Sequence, residues 1–370
     1  MAVKETKERL FHVAKRDAMP VWKSLLIRAI AVVIAFLFCS LLVFILEGRS
    51  PIELLTAMFE GSFGTERRIW KLMKDIAILL CISLAVTPAF RMRFWNTGAE
   101  GQVLVGGLAT IACVYYLGGK MPDWLLIVVM FVAAVFAGAL WGGIPAIFKA
   151  KWNTNETLFT LMMNYLATYL VSYFLLVWTP DGSSTLPRLE DHGMFPTIDI
   201  GERFAGRQYL LIILAVVIIT IIMHFYLSYS KQGYEISVVG ESEKTARYIG
   251  INVPKVIIRT MLVSGAICGI AGFLIVGGLD RTITANSAGG QGFTAIMVSW
   301  LAKFNPIIMV ATTFLIIFLE QGAAQIAENF GMSNSLPNVV TGIILFFIIG
   351  CEFFINYKIM FRESSKKEGE

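Results

Sequence analysis

The chain has 370 residues, of which 56% are hydrophobic and only 15% are charged, and its mean hydropathy is +0.70. Soluble domains carry about one-quarter charged residues, so this composition excludes an ordinary soluble domain and predicts an integral membrane protein. The net charge of +5 does not indicate nucleic-acid binding, because lysines and arginines gather at the ends of apolar runs, where membrane topology explains them.

The sequence contains no pattern that predicts catalysis or metal binding. Its five cysteines all fall within apolar runs without a Cys-x-x-Cys pair, and its three histidines are scattered singly, so we predict neither disulfides nor a metal centre. The phosphate-binding loop of ATPases is not found, since its nearest fragment, Gly118-Gly119-Lys120, continues with Met121. We therefore predict no enzyme activity and no cofactor on this chain, and if ATP drives it, ATP and Mg bind a separate subunit.

The apolar runs follow a basic arm, residues 1–28, that we predict to be cytoplasmic. Runs that approach about 20 apolar residues can cross a bilayer as helices. Two of them carry the pairs Gly138-x-x-x-Gly142 and Gly265-x-x-x-Gly269, which predict close helix contacts. The segment 179–207 is predicted to be an outer face that meets whatever delivers solute. Through the first three-quarters of the chain, spans are predicted at about residues 29–46, 74–90, 94–117, 124–148, 156–178, 208–229 and 260–279.

A polar, glycine-rich stretch, Phe94-Trp95-Asn96-Thr97-Gly98-Ala99-Glu100-Gly101-Gln102, opens the third of these runs. A carboxylate and two amides near the start of a span are costly unless they face a cavity or a partner. Structural roles stay open beside a role in a solute path: backbone amides at a helix start could satisfy the carboxylate, and amides could join helices. The candidates for the solute path are Asn96, Glu100, Gln102, Asn164 and Phe293, the last of which could equally be a packing residue.

The central loop, residues 230–259, is mostly polar and lies between two long apolar runs, so it cannot lie in hydrocarbon. Inside it, Ser242 is placed to cap a short helix and Gly250 to end it in the left-handed conformation. Thr245, Tyr248 and Ile249 fall at i, i+3 and i+4, which gives this helix a partly apolar face. Two interpretations remain open: a docking site for another protein, where the small Ala246 would leave room for close approach, or a solvated loop whose helix packs on its own bundle.

The last third of the chain needs one more crossing than its hydropathy shows. Obvious spans lie at 307–321 and about 337–357, and the basic tail, 358–370, is predicted to be cytoplasmic like the N terminus. The segment 289–303 can supply a short or re-entrant crossing. The sequence thus predicts an all-α polytopic bundle of about ten membrane elements, with a transmembrane domain at 29–357. The likeness of the stretch beginning at Asn96 to Asn286-Ser-Ala-Gly-Gly-Gln-Gly suggests an inverted internal repeat.

Several blocks of the sequence resemble the permeases of bacterial ABC importers for simple sugars and nucleosides. The stretch from Asn96 to Gln102 is very close to their Asn-x-Gly-Ala-Glu-Gly-Gln signature, although Thr97 stands where a larger apolar residue is common. The resemblance extends from about residue 31 to 357 and includes ribose permeases and, more distantly, branched-chain amino-acid permeases. The other matching blocks are Asn155-Glu156 with 161–165, Gly292-Phe293 with Asn305-Pro306, and Gly240, Ala246-Arg247 and Gly250-Ile251 in the central loop, where Ser242 replaces the usual Asn.

The resemblance implies a permease subunit of the bacterial cell membrane that imports a small polar solute, with nucleosides the first choice and simple sugars the second. It implies as partners an ABC ATPase subunit, a second permease subunit, alike or paralogous, and an extracytoplasmic binding protein or lipoprotein, beside the membrane lipid. An ion- or proton-coupled secondary transporter remains the alternative, although the chain offers few titratable residues in mid-span. The residues implied to couple to the ATPase are Gly240, Ser242, Ala246, Arg247, Tyr248, Ile249 and Gly250.

Overall fold

The computed structural model describes residues 11–15, 20–48, 50–179, 185–189, 192–196, 208–331 and 336–361. Most of the predicted outer segment, 179–207, and most of the two basic arms lie outside the described residues. The described chain is nearly all helical, as predicted, with two short strands, β1 (Phe11–Lys15) and β2 (Tyr357–Phe361). The helices are α1 (Val21–Glu47), α2 (Pro51–Phe63), α3 (Glu66–Arg91), α4 (Ala99–Leu117), α5 (Asp123–Trp152), α6 (Glu156–Trp178), α7 (Leu210–Tyr229), α8 (Lys231–Glu241), α9 (Glu243–Tyr248), α10 (Val253–Phe273), α11 (Gln291–Leu301), α12 (Pro306–Phe330) and α13 (Leu336–Asn356).

Among the described residues, six helices are long and apolar enough to cross a membrane: α4, α5, α6, α7, α10 with its extension to Asp280, and α12. The protein is therefore a multi-pass membrane protein. The predicted total of about ten elements and the inverted repeat stay predictions. Helix α11, with 11 residues, is about 17 Å long and covers only part of a hydrocarbon core of about 30 Å.

Three local features differ from the elements that the sequence predicts. Helix α1 begins at Val21, where the sequence places the basic arm up to residue 28. The two arms of the chain contain β1 and β2, which pair antiparallel, with Phe11 opposite Phe361 and Lys15 opposite Tyr357. The all-α prediction does not include this small sheet. Helix α10 continues as a π-helix, Leu274–Asp280; no periodicity in the sequence indicates this wider turn.

The described residues form two compact units, one made of those within 1–62 and 319–370 and the other of those within 63–318. In the first unit, α1 packs on α13, with Ala31 and Cys351 among the buried contacts. The second unit contains every residue that the sequence proposes for a site.

Helices α4, α5 and α10 form the centre of the second unit because glycines let their backbones approach. A Cβ atom added at Gly265 would lie 2.2 Å from the carbonyl oxygen of Gly138, and one added at Gly272 would lie 2.2 Å from that of Val103. Both close-contact motifs are confirmed, and they contact each other. Such small-residue contacts replace the hydrophobic driving force that lipid does not supply between helices.

Candidate functional site

The loop before α4 is held by a buried amide network. The side chain of Asn96 is completely buried, and its Nδ2 donates to Oγ of Ser264 on α10 at 3.2 Å. Its Oδ1 accepts from the backbone N–H of Gly98 at 3.1 Å and from Nε2 of Gln102 at 3.2 Å. Since both amides are removed from solvent, this network fixes the loop against α4 and α10, and neither amide can touch a solute in this conformation.

Asn164 fastens the start of α4 to α6. Its Oδ1 accepts from the backbone N–H of Gly101 at 2.8 Å, and its Nδ2 donates to the carbonyl oxygen of Thr97 at 2.8 Å. The first N–H groups of a helix have no partner within it, so Asn164 caps α4 from a neighbouring helix. This geometry agrees with the interhelical interpretation of Asn164.

We expect Asn164→Ala to destabilise the protein, because the N–H of Gly101 and the carbonyl of Thr97 would both be left buried without their partner. An unsatisfied buried group costs about 1–3 kcal/mol. The melting temperature of the purified permease measures this loss, and Asn286→Ala, at an exposed turn, is a control. A melting temperature equal to that of the wild type would contradict the capping role.

The carboxylate of Glu100, at the start of α4, also binds the N-terminal end of a second helix, α11. The backbone N–H of Gly290 donates to its Oε1 at 2.7 Å and that of Gly292 to its Oε2 at 2.8 Å. The carboxylate therefore lies in the first turn of α4 and at the start of α11 together, where both helix dipoles favour negative charge. Gly292 must be glycine, because a Cβ atom added there would lie 2.5 Å from the backbone nitrogen of Glu100.

The structure brings together four of the five residues proposed for a solute path: Asn96, Gln102 and Asn164 are buried, and Glu100 is partly exposed. Phe293 is 45% exposed, on the first turn of α11 that also holds Glu100 through Gly292. The partners of these residues are not evident from the sequence. One signal could have pointed to Gly290 and Gly292, namely the likeness between their glycine-rich stretch and the one that contains Glu100. A glycine-rich helix start offers backbone N–H groups that bind an anion such as a carboxylate.

The central loop contains two helices, α8 and α9, where the sequence predicts one. The predicted ends of α9 are confirmed: Oγ of Ser242 accepts from the N–H of Thr245 at 3.2 Å, and Gly250 has a φ of +86°. The last part of the predicted loop, from Val253 onward, belongs to α10.

The residues proposed for coupling divide into an inner and an outer set. Ala246 is completely buried in a cluster with Phe94, Val256 and Met261. Its small side chain therefore allows α9 to pack closely on the permease's own helices, and in this conformation it does not face a partner. Gly240 is likewise an internal contact, because an added Cβ atom would lie 2.1 Å from the carbonyl oxygen of Arg91. The outer set is exposed and comprises Arg247, Tyr248 at 93%, Ile249 at 51%, and Gly250.

Polar contacts join α8 to α10 and α3 to α7, and the buried cluster that includes Ala246 packs these helices together as one block. Nη2 of Arg259 on α10 donates to Oε2 of Glu235 on α8 at 2.8 Å, and Nη1 of Arg91 donates to the carbonyl oxygen of Leu227 at 2.9 Å. The buried cluster on the inner side of this block includes Met92 and Phe94. Those residues directly precede the loop of Asn96, so a displacement of α9 has a packed route to the start of α4.

Comparison with known proteins identifies the chain's family. Residues 69–349 match the family described as "Branched-chain amino acid transport system / permease component". The chain belongs to this family. The resemblance carried by the glycine-rich stretches is thus confirmed, and the permease, as a component of a transport system, is not itself an enzyme.

Three relatives are similar over most of their length. The guanosine ABC transporter permease protein NupP of Bacillus subtilis is 28% identical over 88% of this chain and 92% of its own. The glucose ABC transporter permease protein TsgB13 of Haloferax volcanii is 27% identical over 84% of this chain and 83% of its own. The nucleoside ABC transporter permease protein NupB of Lactococcus lactis is 26% identical over 94% of this chain and 98% of its own.

Proposed function

We propose that the permease belongs to an ATP-driven ABC importer and carries nucleosides, or next simple sugars, across the bacterial cell membrane. The observation that carries the proposal is α9: a capped helix with Tyr248 at 93% exposure whose inner side is packed into the block that leads to Asn96. The names of the relatives support nucleosides first, since two of the three refer to nucleosides.

The proposed partners follow from this role. An ABC ATPase subunit, which holds ATP and Mg, docks on α9 from the cytoplasm, where both chain termini also lie. A second permease subunit, the same or paralogous, completes the path, and an extracytoplasmic binding protein or lipoprotein delivers solute. The separate ATPase is consistent with the sequence, which contains no phosphate-binding loop of its own.

The mechanism uses α9 as a rigid connection. Closure of the ATPase subunits moves the exposed face of α9, and Ala246 and Gly240 pass that movement into the buried cluster with Met92 and Phe94. The loop of Asn96 then shifts together with α4, and access alternates between the two sides of the membrane. Asn96, Gln102 and Asn164 position this helix start, whereas Glu100 and Phe293 have exposed surface with which to border the path.

We expect Tyr248→Ala to weaken ATPase binding while leaving the permease folded. Truncating a central aromatic residue of an interface commonly costs about 2 kcal/mol or more, which is about a thirtyfold loss of affinity. The measurement is co-purification of the ATPase from detergent, with Trp152→Ala, an exposed aromatic residue on another turn predicted to be cytoplasmic, as the control. Equal recovery from both variants would show that α9 is only a solvated helix.

Gly250→Val tests the geometry of the same helix without removing a contact. Nothing lies within 4 Å of an added Cβ atom at Gly250, so the only penalty is the left-handed backbone, which costs about 1–2 kcal/mol for such a residue. We expect ATP hydrolysis that no longer drives uptake, because the exit of α9 is tilted. Wild-type coupling in this variant would contradict the proposal.

Uptake by the complete complex in proteoliposomes tests the function itself. ATP inside the vesicles should drive accumulation of radiolabelled guanosine, and a variant ATPase that cannot hydrolyse ATP should abolish it. Accumulation by the permease alone in response to a proton or sodium gradient would instead support the secondary-transporter alternative.

A further inference from the structure

Three tyrosines lie in a row on the exposed side of α6, beside hydrocarbon side chains such as Met162 and Leu166, and we call this row the tyrosine face. Tyr165, Tyr169 and Tyr173 are 57%, 71% and 61% exposed. Their spacing of four residues places them on one side of the helix, each about 6 Å further along the axis than the one before. The opposite side of α6, with Thr160, Asn164 and Ala167, is buried.

The tyrosine face lies in the middle of a membrane span. Helix α6 has 23 residues from Glu156 to Trp178, so Tyr165 and Tyr169 lie within about 3 Å of its midpoint along the axis. Tyrosine in membrane proteins is concentrated at the water interfaces, because a phenol hydroxyl in hydrocarbon lacks a partner. In the part of the chain that the structure describes, none of the three hydroxyls makes a hydrogen bond.

Other exposed faces of the same unit are different. The exposed middle of α5 carries Val128, Val132, Phe136 and Leu140, and that of α7 carries hydrocarbon side chains alone, such as Ile218 and Ile221. On these two helices the large exposed aromatic residues with a polar atom, Trp124, Trp152 and Tyr229, lie at the helix ends. Hydrocarbon in the middle and amphipathic rings at the ends are typical of surfaces in contact with lipid, and α6 does not follow this rule.

We propose that the tyrosine face lines the aqueous path of the transporter and offers stacking surfaces to a flat, hydroxyl-bearing aromatic solute, that is, a nucleobase with its sugar. Water in the path satisfies the phenol hydroxyls that lipid would leave unpaired. Aromatic rings stack on bases through their faces whatever the base, and the phenol groups can bond to ribose hydroxyls. The choice of a nucleoside rests on the function proposed above, whereas the position of the face on a water-filled path does not.

Thiol labelling tests the position of the face. Single cysteines replace Tyr165, Tyr169 or Tyr173 in the complete complex, and Phe136→Cys is the matched control on a hydrocarbon face. The wild-type complex supplies the background, since four of the five native thiols are buried. Because a charged methanethiosulfonate reagent is excluded from hydrocarbon, we expect the three tyrosine positions to react at least about tenfold faster than residue 136. Equally slow reaction at all four positions, or a disulfide between Tyr169→Cys and a second permease chain without labelling, would overturn the proposal.

Uptake kinetics test the stacking. Tyr169→Leu, which removes both the ring and the hydroxyl, should raise the KM for guanosine by about tenfold, whereas Tyr169→Phe, which keeps the ring and loses only the hydroxyl, should raise it by a smaller factor. An unchanged KM in Tyr169→Leu would overturn the stacking surface. Failure of the wild-type complex to take up guanosine would overturn the nucleobase assignment in both proposals, while fast thiol labelling would still place the face on the path.

Discussion

Glu100→Gln should abolish most uptake while the permease still assembles with its ATPase. The two N–H groups of Gly290 and Gly292 now face two carboxylate oxygens at 2.7 and 2.8 Å, but a glutamine side chain presents one oxygen and one NH2 group. One N–H donor would then face another donor, and the charge that both helix ends favour would be lost. Hydrogen bonds to charged groups contribute about 1.5–3 kcal/mol, so a loss of uptake of at least about tenfold is expected.

Glu156→Gln is the matched control for this variant. Glu156 also lies in the first turn of a helix, α6, but it pairs with Nζ of Lys149 at 2.9 Å instead of with backbone amides. The amide oxygen of a glutamine at this position can still accept a hydrogen bond from Lys149, so uptake should change little. Equal uptake by the two variants in proteoliposomes would show that the junction of α4 and α11 has no role in transport.

Gly265→Val should prevent the second unit from folding. The new side chain would begin 2.2 Å from the carbonyl oxygen of Gly138, and a backbone atom cannot move aside as the end of a flexible side chain can. The cost should exceed the about 1–3 kcal/mol of ordinary overpacking, and α5 would separate from α10. Size-exclusion chromatography of the detergent-extracted permease measures the loss as a missing monodisperse peak.

Gly342→Val gives the comparison for Gly265→Val. Gly342 also lies within a helix, α13, but nothing is within 4 Å of an added Cβ atom there. Valine is a better helix former than glycine, so this variant should give a normal yield. A normal yield from Gly265→Val as well would contradict the direct backbone contact between α5 and α10.

Local signals in the sequence are sufficient for some features of the site. Caps act over three or four residues, so the sequence alone places Ser242 and Gly250 at the two ends of a short helix. Small residues spaced by four mark a helix face, and the pairs beginning at Gly138 and Gly265 therefore indicate close contacts, although not that they contact each other. The helical class follows from composition and from the length of the apolar runs.

Partners distant in sequence cannot be predicted in this way. The residues that bind the carboxylate of Glu100 lie 190 and 192 positions further along the chain, and only the folded packing brings them there. The small size of Ala246 fits contact with a partner or with its own bundle equally well, and only its burial shows that it serves the bundle. The exposure of the tyrosine face is also a property of the packed helices, since spacing alone does not distinguish the buried side of α6 from the exposed one.

The pairing of β1 with β2 constrains the membrane topology. Strands that exchange backbone hydrogen bonds from Phe11 to Lys15 and from Tyr357 to Phe361 must lie in the same compartment, because a lipid bilayer cannot pass between them. A chain whose two ends share a compartment crosses the bilayer an even number of times. The six candidate helices among the described residues are consistent with this parity, and we expect a labelling experiment that locates one of the two strands to locate the other on the same side.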